Sequence, residues 1–258
     1  MIDFTQRFLK DLCLHLFNRT YIEIESFSEN TAGAALPTEE KIITIEFAQD
    51  YKIFDVNTEL ELYFNTSLTG AMEKELYYSK LEKLYEDLIQ TDKEFKQKLS
   101  ANEKNLSLKK KIDKLIEYVI EPKCIGPSFI ANHPILLSPL AKAHESNKNI
   151  AERFEFFINK IELINSYSEL NDSAEQKLRF VEQSNLKNNN AFDDEVHPTD
   201  EDFLEALSHG MPPTAGWGLG IDRLCMFFIG VQNIKEVILF PLMNVDRSKK
   251  NITSYKQV

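Results

Sequence analysis

The sequence predicts an α+β protein in which strands occur in antiparallel clusters with helices between them. Three observations indicate this class. The segments "YIEIESF", "KIITIEF" and "YKIFDVN" near the N-terminus are strand-like runs. In "ERFEFFINKIELINSYSELND" (152–172), two aromatic and β-branched runs flank Asn159-Lys160, which we expect to be the two-residue turn of a hairpin. Charged, helical patterns fill the stretch from about 79 to 120.

Length and composition limit the class of protein. The 258 residues are 43% hydrophobic, which suits a globular core, and we expect one domain over 1–258 because no repeat or linker is visible. No apolar run is long enough to cross a bilayer, and the net charge of −11 argues against a broad nucleic-acid surface. The scattered Cys13, Cys124 and Cys225 favour a reducing cytoplasm, with an organelle as the alternative.

The elements before the hairpin follow from periodicity. Four apolar residues recur at every fourth position of the first segment and predict an amphipathic helix: Phe4, Phe8, Leu12 and Leu16. "SENTAGAALP" predicts a loop. "ELYF" (61–64) and "ELYY" (75–78) are strand-like, and the second is also compatible with a helix. "KKKIDKLIEYVI" (109–120) predicts a helix that Pro122 stops, and "SFIAN" predicts the strand after it.

The elements after the hairpin end in a glycine-rich strand. A helix is expected at roughly 173–184, and another in "PTDEDFLEALSHG", where Thr199 would be the N-cap and Gly210 the end. The strand "GWGLG", a buried helix in "LCMFFIG" and a strand in "EVILFP" complete the chain.

The glycines of "GWGLGIDR" indicate a surface for a flat ligand. Gly216, Gly218 and Gly220 lie at alternate positions, so one strand face would be bare backbone, a pattern that allows close approach of a ligand. The opposite face would carry Trp217, Leu219 and Ile221 as core. The alternative explanation is tight packing between strand and helix. Arg223, at the strand-to-helix junction, favours a purine and phosphate site because a guanidinium stacks on rings and binds phosphate.

The second arm of the hairpin carries polar residues where a core strand would be apolar. Asn165, Tyr167 and Glu169 are spaced i, i+2, i+4 and share one face. Glu169 should meet solvent or a cation, because burying an unpaired carboxylate is costly. The alternative is an exposed polar face of an edge strand.

Two further acids lie on the two arms of the hairpin. Glu155 and Glu162 would be diagonal neighbours, and two carboxylates that close, beside a triphosphate, suit Mg²⁺. Regular pairing puts Glu155 opposite Ile164 and Phe157 opposite Glu162. Because residues 162 and 165 point to opposite faces of a regular strand, we predict a β-bulge near Leu163–Ile164 that brings both sets to one pocket.

Two acid-plus-phenol pairs occur earlier in the chain: Glu61 with Tyr63, and Glu75 with Tyr77. Their period-two spacing would place each pair on one strand face. Together with Glu169 they would form a pocket for a small cationic ligand. The alternative is a set of acidic surface strands.

Several phrases together resemble the catalytic core of the class II lysyl-tRNA synthetases: "SPLAK", "ERFEFFINKIELINSYSELND", "DDE" (193–195), "PPTAGWGLGIDRL" and "NIKEVILFP". The similarity runs almost continuously from about Glu121 to Pro241, and more loosely over the first 78 residues, where "YIEIES" resembles motif 1. The resemblance implies an antiparallel sheet flanked by helices, usually paired as a homodimer. It also implies ATP-dependent activation of lysine, with AMP and pyrophosphate as products, and tRNA as a partner.

The resemblance also implies roles for the residues above. Gly216, Gly218, Gly220 and Arg223 match motif 3, where the bare strand underlies adenine and the arginine contacts ATP as a catalytic residue. Glu155 and Glu162 match the acids that hold Mg²⁺-ATP. The implied lysine-binding residues are Glu61, Glu75, Tyr77, Asn165, Tyr167 and Glu169, with Glu169 taking the ε-ammonium.

The sequence departs from the family pattern in four places. Motif 2, a strand–loop–strand with an arginine, would lie between the two "ELY" segments, but only "FNTSLTGAMEK" is there, and no arginine occurs between Arg19 and Arg153. The helical insert at 79–120 is abridged. Ser26 replaces the motif 1 proline, and no stretch resembles an N-terminal anticodon-binding barrel.

These departures leave two hypotheses about function. Removing one preorganised donor to a developing charge costs about 3–4 kcal/mol, so loss of motif 2 predicts weakened or lost activation. The first hypothesis is a lysine-activating ligase, including a paralogue that transfers lysine to a protein. The second is a non-catalytic relative that binds lysine or nucleotide, or that serves as a scaffold or assembly subunit.

Overall fold

The computed structural model describes residues 1–25, 42–68, 70, 72–99, 106–189 and 200–242. The expected loop at 28–37, Ser26, "DDE" and Thr199 lie outside these ranges. Seven strands are present in the described part: β1 Tyr21–Glu25, β2 Ile42–Glu46, β3 Lys52–Asp55, β4 Ser128–Ala131, β5 Arg153–Ile158, β6 Ile161–Ser168 and β7 Ala215–Leu219. The helices there are α1 Ile2–Phe17, α2 Val56–Phe64, α3 Lys74–Thr91, α4 Lys93–Lys98, α5 Leu108–Val119, α6 Ser173–Asn189, α7 Glu201–Ser208 and α8 Ile221–Ile229.

A five-stranded sheet in the order β3-β4-β5-β6-β7 forms the centre of the fold. Its strands are antiparallel neighbours except for β3 and β4, which are parallel. β1 and β2 form a separate antiparallel pair. The predicted α+β class, with an antiparallel sheet flanked by helices, is therefore confirmed.

The hairpin of β5 and β6 forms as the sequence predicts. Asn159 and Lys160 both have positive φ, 49° and 65°, as a two-residue type I′ turn requires. The predicted β-bulge is confirmed as well: Phe157 pairs with Glu162 while Phe156 pairs with Ile164, so Leu163 is the extra residue. The expected pairing of Glu155 with Ile164 is wrong, because the bulge shifts the register.

The sheet separates two hydrophobic clusters. One cluster joins α2, α3, α4 and α5 to the face that carries Ile130 and Phe157. The other joins α1, β1, β2 and α8 to the face that carries Phe154, Phe156 and Ile164. Alternate residues of β5 therefore enter opposite clusters, as a sheet covered on both faces requires.

The strand prediction for "ELYF" is wrong. Glu61 and Tyr63 lie in α2, which Asp55 caps by accepting a hydrogen bond from Thr58 N at 2.8 Å. "ELYY" adopts the helical alternative and opens α3. In a helix, residues i and i+2 point in different directions, so the acid-plus-phenol pairs do not share faces.

The buried face predicted for the first helix needs correction. α1 forms, but its fully buried positions are Thr5, Leu9 and Cys13, whereas Phe4 and Leu16 are exposed. The buried positions also repeat every four residues, but each comes one residue after a predicted position, which is a rotation of about 100° around the helix.

At the C-terminal end, two side-chain assignments also differ. Asp200 caps α7 by accepting from Phe203 N at 2.9 Å, and Gly210, with φ 104°, follows the helix end as expected. α8 forms but is amphipathic, and Ile221 is exposed rather than core. "EVILFP" is not a strand, because no described strand pairs with it and strand propensity needs a partner.

Candidate functional site

The bulge at Leu163 aligns the polar residues of the hairpin on one face of the sheet. Glu155 pairs with Asn165, and Arg153 pairs with Tyr167. Asn165 in turn pairs with Gly218 of β7. This face lies on the side of the sheet covered by α5, and we call it the polar face, defined by Arg153, Glu155, Glu162, Asn165 and Tyr167.

Glu155 is held by two neighbouring side chains. Arg153 Nη2 donates to Glu155 Oε1, and His133 Nε2 lies 3.2 Å from Glu155 Oε2. Burial alone would raise the pKa of Glu155, but the His133 and Arg153 side chains outweigh it and lower this pKa to about 2. The carboxylate is therefore ionised at neutral pH and fixed in orientation.

Glu162 and Arg223 form a second pair. Arg223 Nη1 donates to Glu162 O at 2.8 Å and to Glu162 Oε2 at 3.2 Å. Both side chains remain partly exposed, so the pair is weak in energy and can be separated by a ligand. Arg223 lies in the first turn of α8, at the strand-to-helix junction that the sequence indicates.

A cavity of about 460 Å³ lies between this hairpin and α5. Its charged lining combines acids from both walls with a smaller number of cations. The acids are Asp113, Glu117, Glu121, Glu155 and Glu162, and the cations are Arg153, Lys160 and Arg223.

Glu121, two residues after the end of α5, is the acid in this cavity whose pKa is strongly raised. Burial is the largest cause, and together with the carboxylates of Glu117, Glu155, Glu162 and Asp113 it raises the pKa of Glu121 to about 7. Such a group gains from the approach of a cation, because positive charge stabilises the ionised form.

Glu169 lies beside the glycine strand. A Cβ atom added to Gly216 would come within 3.0 Å of Glu169 Oε1, whereas a Cβ on Gly218 would meet nothing closer than 3.8 Å. Burial raises the pKa of Glu169, and the pKa of Tyr167 is raised by burial and by Glu169. A side chain at position 216 would therefore require this carboxylate to move.

The glycine strand presents accessible backbone. Gly218 and Gly220 are exposed, while Trp217 packs against α1 and donates from Nε1 to Thr5 Oγ1 at 3.0 Å. The stem of Arg223 passes along Gly220, with its Cβ and Cδ 3.6 Å from where a Gly220 Cβ would be.

None of the six residues assigned to the lysine pocket lines the cavity, and three of them lie on α2 and α3 rather than on or next to β6. Tyr77 is fully buried in the helical cluster and donates to Asn57 Oδ1 at 2.7 Å. Glu61 accepts from the backbone N of Leu68, and Glu75 is exposed at the start of α3. Glu61, Glu75 and Tyr77 are therefore separate from the polar face in this structure.

Arg153, His133 and Glu121 contribute to the site without having been singled out from the sequence. Arg153 could have been found, because it is two residues before Glu155 and shares its strand face. His133 follows β4, and its place beside Glu155 depends on the pairing of β4 with β5, which spacing alone does not reveal.

The carboxylates fit a magnesium–nucleotide role. In the described residues, no group of three or more His, Cys, Asp or Glu side chains is arranged to hold a metal ion. Mg²⁺ is nevertheless commonly bound through one or two carboxylates together with substrate phosphates. Glu155 and Glu162 both line the cavity, and their carboxylates are of the ligand type that such a site uses.

The sequence is similar to a known family over most of its length. The profile of the family described as tRNA synthetases class II (D, K and N) matches residues 1–244. A probable cytoplasmic lysine–tRNA ligase of Encephalitozoon cuniculi is 44% identical over 202 residues, which are 78% of this chain and 37% of that protein.

Two further relatives carry similar names. A probable cytoplasmic lysine–tRNA ligase of Vairimorpha ceranae is 40% identical over 245 residues, 94% of this chain and 44% of that protein. A lysine–tRNA ligase of Aquifex aeolicus is 48% identical over 141 residues, 55% of this chain and 23% of that protein. The chain spans less than half the length of these relatives. Among the described helices, none has the length and apolar character needed to cross a membrane.

Proposed function

The chain belongs to the class II tRNA synthetases of the D, K and N type, and we propose that it binds lysine and Mg²⁺-ATP at the polar face and activates lysine slowly. In this proposal Glu169 takes the ε-ammonium, with Asn165 and Tyr167 beside it. Glu155 and Glu162 hold Mg²⁺, and Arg223 contacts the nucleotide over the exposed glycines.

The observation that carries the proposal is the bulge at Leu163. It places Glu155 opposite Asn165, so the acids for a metal–nucleotide complex and the polar group for an amino acid face the same side of the sheet. The raised pKa of Glu169 supports an ammonium partner, because a buried carboxylate is stabilised by a cation.

The chemistry that follows is transfer of an adenylyl group. The lysine carboxylate attacks the α-phosphorus of ATP, the new O–P bond forms, and the bond to the β-phosphate breaks to release pyrophosphate. Mg²⁺ would supply neutralisation of the phosphate charge. Arg223 would orient the nucleotide, and the carboxylates of Glu155 and Glu162 would fix the metal. Following the names of the relatives, we propose tRNA as the acceptor of lysine, and a homodimer as the assembly.

A second candidate function is binding without catalysis. The segments on either side of "FNTSLTGAMEK" are the helices α2 and α3, and no arginine occurs between Arg19 and Arg153. The α-phosphate therefore lacks the arginine that motif 2 supplies in the family. Loss of one such donor costs about 3–4 kcal/mol, or about 10²- to 10³-fold in rate.

Lysine-dependent exchange between ATP and pyrophosphate tests the proposal. A slow exchange that disappears in Glu169→Gln supports activation. Calorimetric binding of lysine and of Mg²⁺-ATP without exchange supports the second candidate. If neither ligand binds the wild-type chain at millimolar concentration, both candidates are wrong, and the remaining hypothesis is a role as a scaffold or assembly subunit.

A further inference from the structure

Arg153 contacts two residues of the polar face that the proposed function assigns to different ligands. Asn165 belongs to the lysine half of the site, and Glu155 belongs to the nucleotide half, which holds Mg²⁺-ATP. Its guanidinium donates from Nε to Asn165 Oδ1 at 3.2 Å and from Nη2 to Glu155 Oε1. Nη1 donates to Leu137 O at 3.0 Å and to Ser138 Oγ at 2.9 Å. One planar group thus contacts a residue of the lysine half, a residue of the nucleotide half and the loop behind both.

We propose that Arg153 is a positioning residue that couples lysine binding to Mg²⁺-ATP binding, so that each ligand strengthens the binding of the other. This inference rests on the function proposed above. Arg153 contacts neither reacting group in it, and acts through Asn165 and Glu155.

The coupling follows from the rigidity of the guanidinium. Its donors lie in one plane with fixed angles, and its side chain is only 14% exposed. A ligand that orders the amide of Asn165 therefore orders Arg153, which in turn fixes the plane of the Glu155 carboxylate. A second ligand then binds to a site that is already ordered and loses less conformational entropy. By linkage, the effect is the same in either direction.

His133 provides an internal comparison because, of the two residues that Arg153 connects, it contacts Glu155 but not Asn165. Its Nε2 lies 3.2 Å from Glu155 Oε2, it is almost fully buried, and neither ring nitrogen makes a hydrogen bond of regular geometry to the described residues. A change at His133 should disturb the nucleotide half without breaking the connection to Asn165.

Arg153→Lys is the test substitution. It keeps the positive charge near Glu155, but an ammonium lacks the planar fork and cannot reproduce contacts to Asn165, Glu155 and the loop together. Ser138→Ala is a milder second variant: it removes one of the supports of Arg153 and touches neither half of the site, so it remains informative if Arg153→Lys fails to fold.

The experiment is isothermal calorimetry of L-lysine with and without Mg²⁺ and a non-hydrolysable ATP analogue. We expect the analogue to tighten lysine binding by at least about fivefold in the wild-type chain, within the usual range of coupling between sites. The factor should fall below about twofold in Arg153→Lys and to an intermediate value in Ser138→Ala. His133→Gln should weaken binding of the analogue while the coupling factor persists.

Arg7→Lys is the control for replacing a guanidinium by an ammonium, because Arg7 lies on α1, on the other side of the sheet, and donates to Asp3 O. Its coupling factor should equal that of the wild type. Two results would overturn the role of Arg153 while leaving the proposed function in place. One is binding of lysine and of the analogue to the wild type without coupling. The other is full coupling in both Arg153→Lys and Ser138→Ala. Absence of lysine binding in the wild type would overturn the proposed function and this inference with it.

Discussion

Glu155 lies directly opposite Asn165 in the ladder between β5 and β6, although regular pairing from the Asn159-Lys160 turn would place Ile164 there. One extra residue, Leu163, causes the difference. Without it, Asn165 would point toward the cluster that contains Phe154 and Phe156, since a shift of one residue moves a side chain to the other face of a strand. The site therefore depends on a local irregularity in the backbone.

Glu169→Gln should weaken lysine binding strongly and leave nucleotide binding in place. The substitution keeps the size of the side chain but removes the charge that would pair with an ammonium. We expect a loss of about 1.5–3 kcal/mol, or on the order of 10- to 100-fold in Kd, measured by calorimetry. Arg223→Ala should weaken nucleotide binding and leave lysine binding in place. If both variants retain both wild-type affinities, the assignment of the site is wrong.

Gly216→Ala and Gly218→Ala should have opposite effects on the two ligands. The Cβ at 216 must displace the Glu169 carboxylate, whereas the Cβ at 218 has space. We therefore expect Gly216→Ala to weaken lysine binding about tenfold or more, and Gly218→Ala to weaken only the nucleotide that would lie on the exposed backbone.

Thermal unfolding provides the control for this pair. Replacing glycine by alanine where the conformation allows it stabilises a protein by about 0.4–1 kcal/mol, so Gly218→Ala should not lower the melting temperature. If the two variants lose the same amount of lysine affinity, then displacement of the Glu169 carboxylate is not the cause of the loss in Gly216→Ala.

Glu121→Gln should stabilise the ligand-free protein at neutral pH but not in acid. The pKa of Glu121 is raised, mainly by burial, to about 7, from an ordinary value of 4.5. Between these pH values the unfolded chain releases the proton more readily than the folded one, so wild-type stability falls as the pH rises from about 4.5 to about 7. The variant escapes this penalty, which we expect to be on the order of 1–3 kcal/mol after allowance for partial exposure.

Denaturant unfolding of the two proteins at pH 4 and pH 8 measures this difference. Glu205→Gln, an exposed change on α7, controls for the loss of one negative charge from an acidic protein. A stability difference that is the same at both pH values would contradict a perturbed Glu121.

Asp200→Ala should destabilise the chain by about 1 kcal/mol. Asp200 accepts from the backbone N of Phe203 at the start of α7, and replacing an N-cap by alanine costs about 0.5–2 kcal/mol. Glu205→Ala, in the same helix, should change the free energy of unfolding by less than about 0.5 kcal/mol. Equal effects of the two substitutions would show that the cap contributes little.

The sequence was sufficient where local chemistry determines the backbone. The Asn159-Lys160 turn follows from the two strand-like runs that flank it, and the bulge follows from the need to bring Glu162 and Asn165 to one side. The strand prediction for "ELYF" was wrong because four residues carry too little periodicity to separate a strand from a helix. Asp55, which caps α2, was the overlooked signal.

The remaining part of the site depends on contacts between distant segments. His133 reaches Glu155 only because β4 pairs with β5, and Glu121 faces the hairpin only because α5 packs on the sheet. Neither the distance between such residues nor the perturbed pKa of Glu121 can be obtained from spacing along the chain.

The division of the interior by the five-stranded sheet has a consequence for how the molecule opens. The helical cluster of α2 to α5 and the cluster of α1 and α8 share only the strands between them, so each layer can detach while the other stays attached to the sheet. The amide protons of α5 and those of α8 would then exchange with solvent deuterium in two separate steps. Because one wall of the cavity belongs to α5, ligand occupancy would slow deuterium uptake on that side of the sheet first.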